Sequence, residues 1–239
     1  MLKKIKEYYE LTKLKDTGED LEEDVPITWI KVFHKNYPRF PSIILPKVQE
    51  KDSQFETLIE MRESTRNFSE TAVSLEEISK ILKVNRIVDS HREPERRTYP
   101  SGGARFPVEI YLVSYNIEDL EKGAFHYDIQ RERLEKLLVE DLTPKRRELI
   151  SPYLENPAGT FIFTSVIPRS EVKYSYKSYP FSFIEAGHMG QNIVLKCAEI
   201  GIGVCPVSGF IDDTVKEILD LTENEIPIYT LSFGKRKLL

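Results

Sequence analysis

The sequence has few residues of the kinds that cross-link a chain or bind metals. Its 239 residues include 2 cysteines, 1 tryptophan and 4 histidines. Cys197 and Cys205 form neither a C-x-x-C motif nor a disulfide framework, and no histidine has a zinc-type spacing. We therefore expect a protein of the reducing cytoplasm that binds no metal.

Long apolar runs and a basic surplus are also missing. No run approaches the ~20 residues of a membrane-spanning helix, and the opening MLKKIKEYYELTKLKD lacks the apolar core of a signal peptide. The net charge of −5 argues against a chain that mainly binds nucleic acid. With 40% hydrophobic residues, a chain of this length can bury a sizeable core unaided. We expect a soluble protein with neither membrane nor nucleic-acid partners.

The first fifty residues differ in character from the rest. Residues 14–24, LKDTGEDLEED, are acidic and predict a loop, and residues 36–46, NYPRFPSIILP, have the prolines of an extended segment. Regular helix and strand patterns begin only after residue 51. We therefore predict an N-terminal arm over residues 1–50 and one folded domain over residues 51–239.

The patterns in this domain mix helices and strands, which predicts an α+β fold. Ser74 and Glu77 form a capping box, Gly201 is a helix C-cap, and Asp212 is expected to cap a helix. In the first helix of the domain, Leu58, Ile59 and Met61 are candidates for burial. The predicted helices span residues 55–62, 74–82, 131–138, 144–150, 181–200 and 213–220. The predicted strands span residues 108–117, 123–128, 159–167, 204–207 and 226–234.

Two basic stretches could bind a phosphate together. In RESTRNF (62–68), Arg62, Ser64 and Arg66 lie two residues apart, so an extended chain puts them on one side. Arginine matches phosphate oxygens bidentately, and Lys235 and Arg236 follow the last predicted strand. The alternative is that both stretches are ordinary solvated ends.

Two glycine-containing stretches predict turns. YPSGGARFP (99–107) precedes a strand and exposes backbone N–H groups that a flat ligand could approach. GIGVCPVSGF (201–210) lacks the third glycine of a dinucleotide fingerprint and follows a helix, so we interpret it as helix cap, strand and a turn at 206–209. Each stretch could also be an ordinary loop.

Taken in order, these motifs resemble the FMN-dependent nitroreductase family. The resemblance extends to its SagB-type branch, the azoline dehydrogenases of thiazole- and oxazole-forming peptide pathways. It rests on RESTRNF, PSGGAR, CPVSGF, the upstream YPRFPSIILP and the hairpin GAFHYD, and covers residue 36 to the end. Further matching residues are Arg169, Lys173, Tyr174, Tyr179, Glu185, Gly187, His188, Gln191, Asn192, Ala198, Gly201 and Gly203. Lys177 departs from the pattern, since the branch usually has arginine there.

The resemblance implies a mixed sheet flanked by helices, in an intertwined homodimer that binds FMN at its interface. Helix 181–200 would lie at the centre of the dimer, and Ser101 and Gly102 would contact the flavin ring from the partner subunit. The cofactor-binding residues implied are Arg62, Ser64 and Arg66 with Lys235 or Arg236 at the phosphate, and Ser101, Gly102, Val207, Ser208 and Gly209 at the ring.

In the branch, a Lys-Tyr pair is thought to assist proton removal from a thiazoline or oxazoline while hydride passes to FMN. Lys173 and Tyr174 in VKYSYKSYP (172–180) match that pair, and we expect this stretch to be a substrate-facing loop. Lysine acts as a base only when uncharged, a state that burial or nearby cations favour. The alternative is that both residues only line a loop.

Three functions remain open at this point. The resemblance favours an azoline dehydrogenase that acts on a ribosomal peptide, within a synthetase complex. The second is a general NAD(P)H-dependent nitro- or quinone reductase. The third is a subunit that keeps the fold and binds no flavin, against which the arginine and glycine motifs argue.

Overall fold

The computed structural model describes residues 1–15, 34–47, 53–150 and 152–237. Its helices are α1 (Lys3–Thr12), α2 (Gln54–Met61), α3 (Leu75–Leu82), α4 (Arg146–Leu149), α5 (Pro168–Tyr174), α6 (Ser178–Glu199) and α7 (Asp212–Ile218). Short 3-10 turns lie at Gly102–Ala104 and Ser175–Lys177. The strands are β1 (Val73–Ser74), β2 (Ile87–Asp89), β3 (Arg96–Arg97), β4 (Val108–Ser114), β5 (Ile117–Glu118), β6 (Gly123–Asp128), β7 (Arg133–Leu138), β8 (Gly159–Val166), β9 (Ile202–Val207) and β10 (Glu225–Lys235).

A six-stranded sheet in the order β7-β6-β4-β8-β10-β9 forms the centre of the fold. Its neighbouring strands all pair antiparallel. Parallel pairing is found between β1 and β5 and at single bridges, one of which joins Ser64 to Val204 on the edge strand β9. The predicted α+β class, a sheet flanked by helices, is therefore confirmed.

Successive side chains of each strand point to opposite faces of the sheet, and both faces are buried under a hydrophobic core. On β8, Phe161 and Phe163 belong to the core on the α6 side, whereas Ile162 belongs to the core that includes α7. Phe161 stacks on Phe233 with ring centroids 4.5 Å apart. Helix α6 contributes Ala186, Met189 and Ile193 to its core, which fixes this long helix against the sheet.

Several predicted elements are confirmed with small shifts in their ends. Helix α3 has the predicted capping box between Ser74 and Glu77. Helix α6 begins at Ser178 and is followed by Gly201 in the left-handed conformation, at a φ of 73°. Residues 36–46 contain neither helix nor strand, as expected. Most of the acidic stretch 14–24 lies outside the described residues.

The helix predicted over 131–138 is wrong, since this segment forms strand β7. The Asp128 side chain accepts hydrogen bonds from the N–H groups of Gln130 and Arg131, and Glu132 adopts a φ of 49°. These contacts form a hairpin turn that returns the chain along β6. Pairing with an open sheet edge then outweighs the helix propensity of the sequence.

Three finer predictions also differ from the structure. Ile59 and Met61 are exposed in α2 and Leu58 is only half-buried, because none of the described residues covers that face. Asp212 is the first residue of α7 rather than its cap, and its carboxylate accepts a hydrogen bond from Leu14 N. The helix predicted over 144–150 is reduced to the four residues of α4.

Two kinds of feature are absent from the part of the chain that the structure describes. No described helix combines the length and apolar character needed to cross a bilayer. Within the same residues, no three His, Cys, Asp or Glu side chains are grouped as metal ligands would be.

Candidate active site

The RESTRNF segment lies across the ends of β9 and β10. Thr65 N donates to Val204 O at 3.0 Å, and Ser69 N donates to Lys235 O at 2.9 Å. Glycine in both strands makes this close approach possible. A Cβ on Gly203 would stand 2.8 Å from the Thr65 side chain, and one on Gly234 would stand 3.0 Å from that of Phe68.

Basic side chains gather at this crossing. Arg62 and Arg66 are exposed on the segment, and Arg66 lies near enough to Cys205 to counter the burial that raises the pKa of that thiol. Arg236 ion-pairs with Glu63 through Nη1, while its buried Nε has no hydrogen-bond partner among the described residues. The structure therefore places the segment that carries Arg62 and Arg66 beside Arg236, whose buried Nε is without a partner.

Lys235 already has a partner in this chain. Its Nζ pairs with the Glu77 carboxylate, the same group that completes the capping box of α3. Burial favours a higher pKa for Glu77, but hydrogen bonds from Lys235 and Ser74 outweigh it and hold the pKa below its usual value. Lys235 ends β10 and its ammonium is anchored by Glu77, whereas Arg236, the next residue, has a buried Nε without a partner among the described residues.

The turn after β9 leaves backbone open to a ligand. Val207 is the last residue of β9 and its carbonyl accepts a hydrogen bond from Thr230 Oγ1 at 2.9 Å. Ser208 is exposed, and a Cβ on Gly209 would meet no heavy atom within 4 Å. Strand β9 places the start of this turn, at Val207, roughly 10 Å from Val204, at about 3.3 Å per residue.

The second glycine turn lies against the predicted catalytic pair. Gly103 has a φ of 60°, and a Cβ built on it would stand 2.7 Å from Lys173 Nζ and 2.3 Å from the Tyr174 hydroxyl. Ser101 Oγ accepts a hydrogen bond from Phe106 N at 2.9 Å, which closes the turn on itself. The absence of a side chain at Gly103 thus lets the lysine and tyrosine reach this backbone.

The VKYSYKSYP stretch is helical, so its prediction as a loop is wrong. It runs from α5 through the 3-10 turn Ser175–Lys177 into α6, with Pro168 in the first turn of α5. Lys173 Nζ lies 5.4 Å from the centre of the Tyr174 ring, and that ring meets the edge of Phe181 at 5.1 Å. The helical backbone thereby fixes the direction of both side chains. Lys177 is exposed and lies at the end of the 3-10 turn.

A cavity of about 330 Å³ adjoins the same turn and holds a buried acid. Its lining includes Ser101, Gly102, Phe181, Glu185 and His188. Glu185 is 2% exposed, and its Oε1 has no hydrogen-bond partner among the described residues. Burial, the largest influence, raises its pKa to about 7, although Ser101 and nearby positive charges oppose the shift.

A second cavity, of about 650 Å³, opens beside the turn after β9. Tyr8 of α1 and the rings of Tyr179 and Phe183 line it together with Ser208. Tyr179 meets both other rings edge to face, with centroids 5.6 Å from Tyr8 and 5.0 Å from Phe183. The linings of the two cavities share Ile184, so both cavities border the N-terminal half of α6.

Sequence reasoning missed some residues that shape these sites. Thr65 packs against Gly203 and Phe68 against Gly234, contacts that the local sequence patterns did not indicate. Gly103 touches the Lys-Tyr pair more closely than Gly102 does. The doubled glycine was the available signal, although only the fold shows which glycine meets which side chain.

The sequence matches the family model described as Nitroreductase family over residues 59–235. It is 26% identical over 196 residues to protein MJ1384 of Methanocaldococcus jannaschii, which is assigned as a nitroreductase; this alignment covers 81% of the chain and 96% of that protein. It is 29% identical over 170 residues to the microcin B17-processing protein McbC of Escherichia coli, with 68% of the chain and 62% of McbC aligned. The trifolitoxin-processing protein TfxB of Rhizobium leguminosarum bv. trifolii is 30% identical over 53% of the chain and 36% of TfxB.

Solved structures show the same fold. A chain of the E. coli microcin synthetase McbBCD complex with truncated pro-MccB17 bound superposes with a TM-score of 0.83 at 24% identity, covering 98% of this chain and 92% of that one. A nitroreductase from Ralstonia eutropha gives a TM-score of 0.68 at 22% identity, with 82% and 89% covered. The chain belongs to the nitroreductase family, whose members are generally flavin-dependent oxidoreductases.

Proposed function

We propose that this protein is an FMN-dependent dehydrogenase that oxidises thiazoline or oxazoline rings in a ribosomal peptide to the aromatic azoles. The observation that carries the proposal is the contact between the Ser101–Gly103 turn and the pair Lys173 and Tyr174. The similarity to McbC and TfxB, both named as peptide-processing proteins, supports a peptide as the substrate.

The residues at the β9–β10 crossing fit the phosphate of FMN. Arg62, Ser64 and Arg66 would bind its oxygens, and the unpartnered Nε of Arg236 would add a buried donor. We assign Lys235 a supporting role, since Glu77 holds its Nζ. A phosphate dianion would also satisfy the accumulated positive charge of these arginines.

Two turns fit the flavin ring. Gly209 has open space where a Cβ would lie, and Val207 and Ser208 present backbone groups beside it. Ser101 and Gly102 offer a second flat backbone surface. When bound, FMN supplies an acceptor for the hydride that leaves the substrate ring.

Aromatisation of an azoline removes one hydride and one proton, and the chain must handle the proton. We assign Lys173 Nζ as the base that takes the proton from ring carbon, and the Tyr174 hydroxyl as the group that orients the ring and shares the proton. Both atoms meet at Gly103. Lys173 is exposed in the single chain, so the bound peptide or a partner subunit would have to exclude water from its amine.

A homodimer would bring the two halves of the site together. In one chain the turn after β9 and the Ser101–Gly103 turn border two separate cavities. Apolar side chains are also left exposed at Phe55, Ile59 and Met61 of α2 and at Ile43, Ile44 and Leu45 of the extended segment. We propose that a second copy covers them in an intertwined dimer centred on α6.

Further proposals concern the setting of the enzyme. Residues 51–239 would form the flavin-binding domain and residues 1–50 its N-terminal arm. The likeness to a chain of the McbBCD complex supports partners in a synthetase complex. Both cysteines are buried and free, which suits the reducing cytoplasm.

The proposed function is tested with purified protein, FMN and an azoline-containing peptide under oxygen. We expect a flavin absorption spectrum and the loss of two hydrogen atoms from the peptide by mass spectrometry. Lys173→Ala should keep FMN and lower kcat by about 10²–10⁴-fold, the usual loss for a general base. Lys80→Ala, which removes an exposed lysine that pairs with Glu76 on α3, is the matched control.

A nitro- or quinone reductase that uses NAD(P)H is the second candidate. The similarity to MJ1384, of which the alignment covers 96%, favours it. Under this alternative, NADPH would bleach the flavin rapidly and a nitroaromatic would reoxidise it, while azoline peptides would remain unchanged. Lys173→Ala would then leave the rate of nitroaromatic reduction unaffected.

A further inference from the structure

One acid at the candidate site is buried with one of its two carboxylate oxygens unpartnered. Glu185 projects from the middle of α6 and is 2% exposed. Its Oε1 has no hydrogen-bond partner among the described residues. Buried polar atoms without partners are rare in native proteins, because leaving one unsatisfied is costly. Such an atom beside a cavity can therefore accept a hydrogen bond from a molecule bound there.

The position of Glu185 connects it with the reacting groups. It lines the cavity of about 330 Å³ together with Ser101, Gly102 and Phe181. The same turn meets Lys173 and Tyr174 on its other side, at Gly103. A molecule that fills this cavity would therefore lie against the turn that the catalytic pair touches.

We propose that Glu185 is a ligand-binding residue of this site, whose free oxygen accepts a hydrogen bond from an N–H donor of the planar heterocycle or amide held over the Ser101–Gly103 turn. The inference rests on the proposed function and extends it to a residue that sets orientation and specificity. Such a donor could belong to the flavin ring or to an amide of the peptide beside the azoline. These sources share one chemistry, and the experiment below separates them.

Charges around Glu185 make the bond depend on pH. The groups facing it are Arg97, Tyr99 and Ser101 from the β3 side, Val108 N–H of β4, Arg169 of α5 and His188 one turn along α6. Burial raises the pKa of Glu185 to about 7, so the carboxyl changes charge near neutrality. A hydrogen bond to the charged form is the stronger one. The ligand should accordingly bind more tightly at pH 8 than at pH 6.

The test compares the wild-type dimer with Glu185→Gln, which keeps the size of the side chain and removes its charge. Fluorescence titration gives the Kd for FMN, and steady-state kinetics give KM for an azoline peptide, each at pH 6 and pH 8. We expect Glu185→Gln to raise either the Kd for FMN or the KM for the peptide by about tenfold at pH 8, because a charge-assisted hydrogen bond is lost. A raised Kd for FMN identifies the flavin as donor, and a raised KM with unchanged Kd identifies the peptide.

Two controls keep the result interpretable. Ser182→Ala also removes a buried polar group of α6, one that bonds to Ser165 and does not line this cavity, and it should change neither constant. Glu185→Asp keeps the charge but withdraws it by one methylene, and should show the same loss as Glu185→Gln with its pH dependence retained. Thermal melts of flavin-free protein establish that each variant is folded.

The results of this test distinguish a failure of the inference about Glu185 from a failure of the proposed function. Suppose that wild type binds FMN and oxidises the peptide, and that Glu185→Gln has the wild-type Kd and the wild-type KM at both pH values. The inference about Glu185 is then overturned, and the proposed function stands. If wild type binds no FMN, the proposed function fails and this inference fails with it.

Discussion

Gly103 is the residue on which the geometry of the candidate site depends most. It combines a φ of 60° with a place against Lys173 Nζ and the Tyr174 hydroxyl. A left-handed backbone conformation costs an L-residue with a side chain about 1–2 kcal/mol. The backbone conformation alone therefore favours glycine at position 103, apart from any steric contact. The sequence motif predicted a turn, but it could not show that Lys173 and Tyr174, seventy residues later, would touch it.

We predict that Gly103→Ala separates activity from stability. The new Cβ would displace the ends of two flexible side chains rather than backbone, so the free energy of unfolding should fall by only about 1–2 kcal/mol. Peptide oxidation should fall far more, because the pair loses its position. Gly201→Ala is the control, since Gly201 has a φ of 73° and no heavy atom within 4 Å of the added Cβ. Equal activity losses in the two variants would contradict this account.

A second prediction at this scale concerns Glu185 and stability. Its pKa of about 7 in the folded chain exceeds the usual 4.5 because burial favours the protonated form. Its contribution to stability is therefore complete below about pH 4.5 and lost as pH rises through 7. Glu185→Gln does not titrate, so relative to wild type it should gain about 3 kcal/mol between pH 4.5 and 8, at 1.36 kcal/mol per pKa unit. Urea unfolding of flavin-free protein measures this, and a difference that stays constant with pH would refute it.

Elements with a strong local pattern were predictable, and those decided by pairing were not. The β-branched and aromatic run of β8 and the long pattern of α6 were predicted within a few residues. The segment 133–138 resembles a helix in composition, yet it becomes β7 because a turn at Asp128 brings it to a sheet edge. Helix α1 was not predicted at all, because its charged sequence shows little sign that Ile5 and Tyr9 would be buried against the core.

At the scale of elements, the crossing of RESTRNF over β9 and β10 should determine FMN affinity. Arg66→Ala should weaken FMN binding by about 10- to 150-fold, which corresponds to the 1.5–3 kcal/mol of a charge-assisted hydrogen bond. Isothermal titration of the flavin-free protein measures the change. Arg92→Ala removes an exposed arginine away from the crossing and should leave the Kd as in wild type. An unchanged Kd in Arg66→Ala would remove the segment from the phosphate site.

At the scale of the whole molecule, the described residues leave apolar surface uncovered, and this could not be predicted from periodicity alone. Phe55 and Ile59 lie four residues apart, the spacing of one helix face, but are exposed here. A dimer would explain why apolar residues at helical spacing are exposed in α2, because the second copy would cover their side chains. The family resemblance predicted such a dimer, whereas local sequence patterns contain no information about a partner.

Gly187 offers a test of that dimer. A Cβ at this position of α6 would meet no heavy atom within 4 Å in the single chain. Gly187→Leu should therefore leave the fold of one chain intact and even favour the helix, by about 1 kcal/mol. If α6 is the central dimer helix, the variant should sediment as a monomer and lose FMN. A variant that stays dimeric with full flavin content would exclude α6 from the interface.

The central claim is that this nitroreductase-family protein uses Lys173 to aromatise azolines, and one measurement tests it most directly. FMN-loaded wild type and Lys173→Ala are each incubated with an azoline peptide in air, and the peptide mass is followed with time. The account predicts that wild type removes two hydrogen atoms per ring, and that Lys173→Ala keeps its flavin but leaves the peptide unoxidised. Oxidation by Lys173→Ala at the wild-type rate, or an unchanged peptide with flavin-loaded wild type, would contradict it.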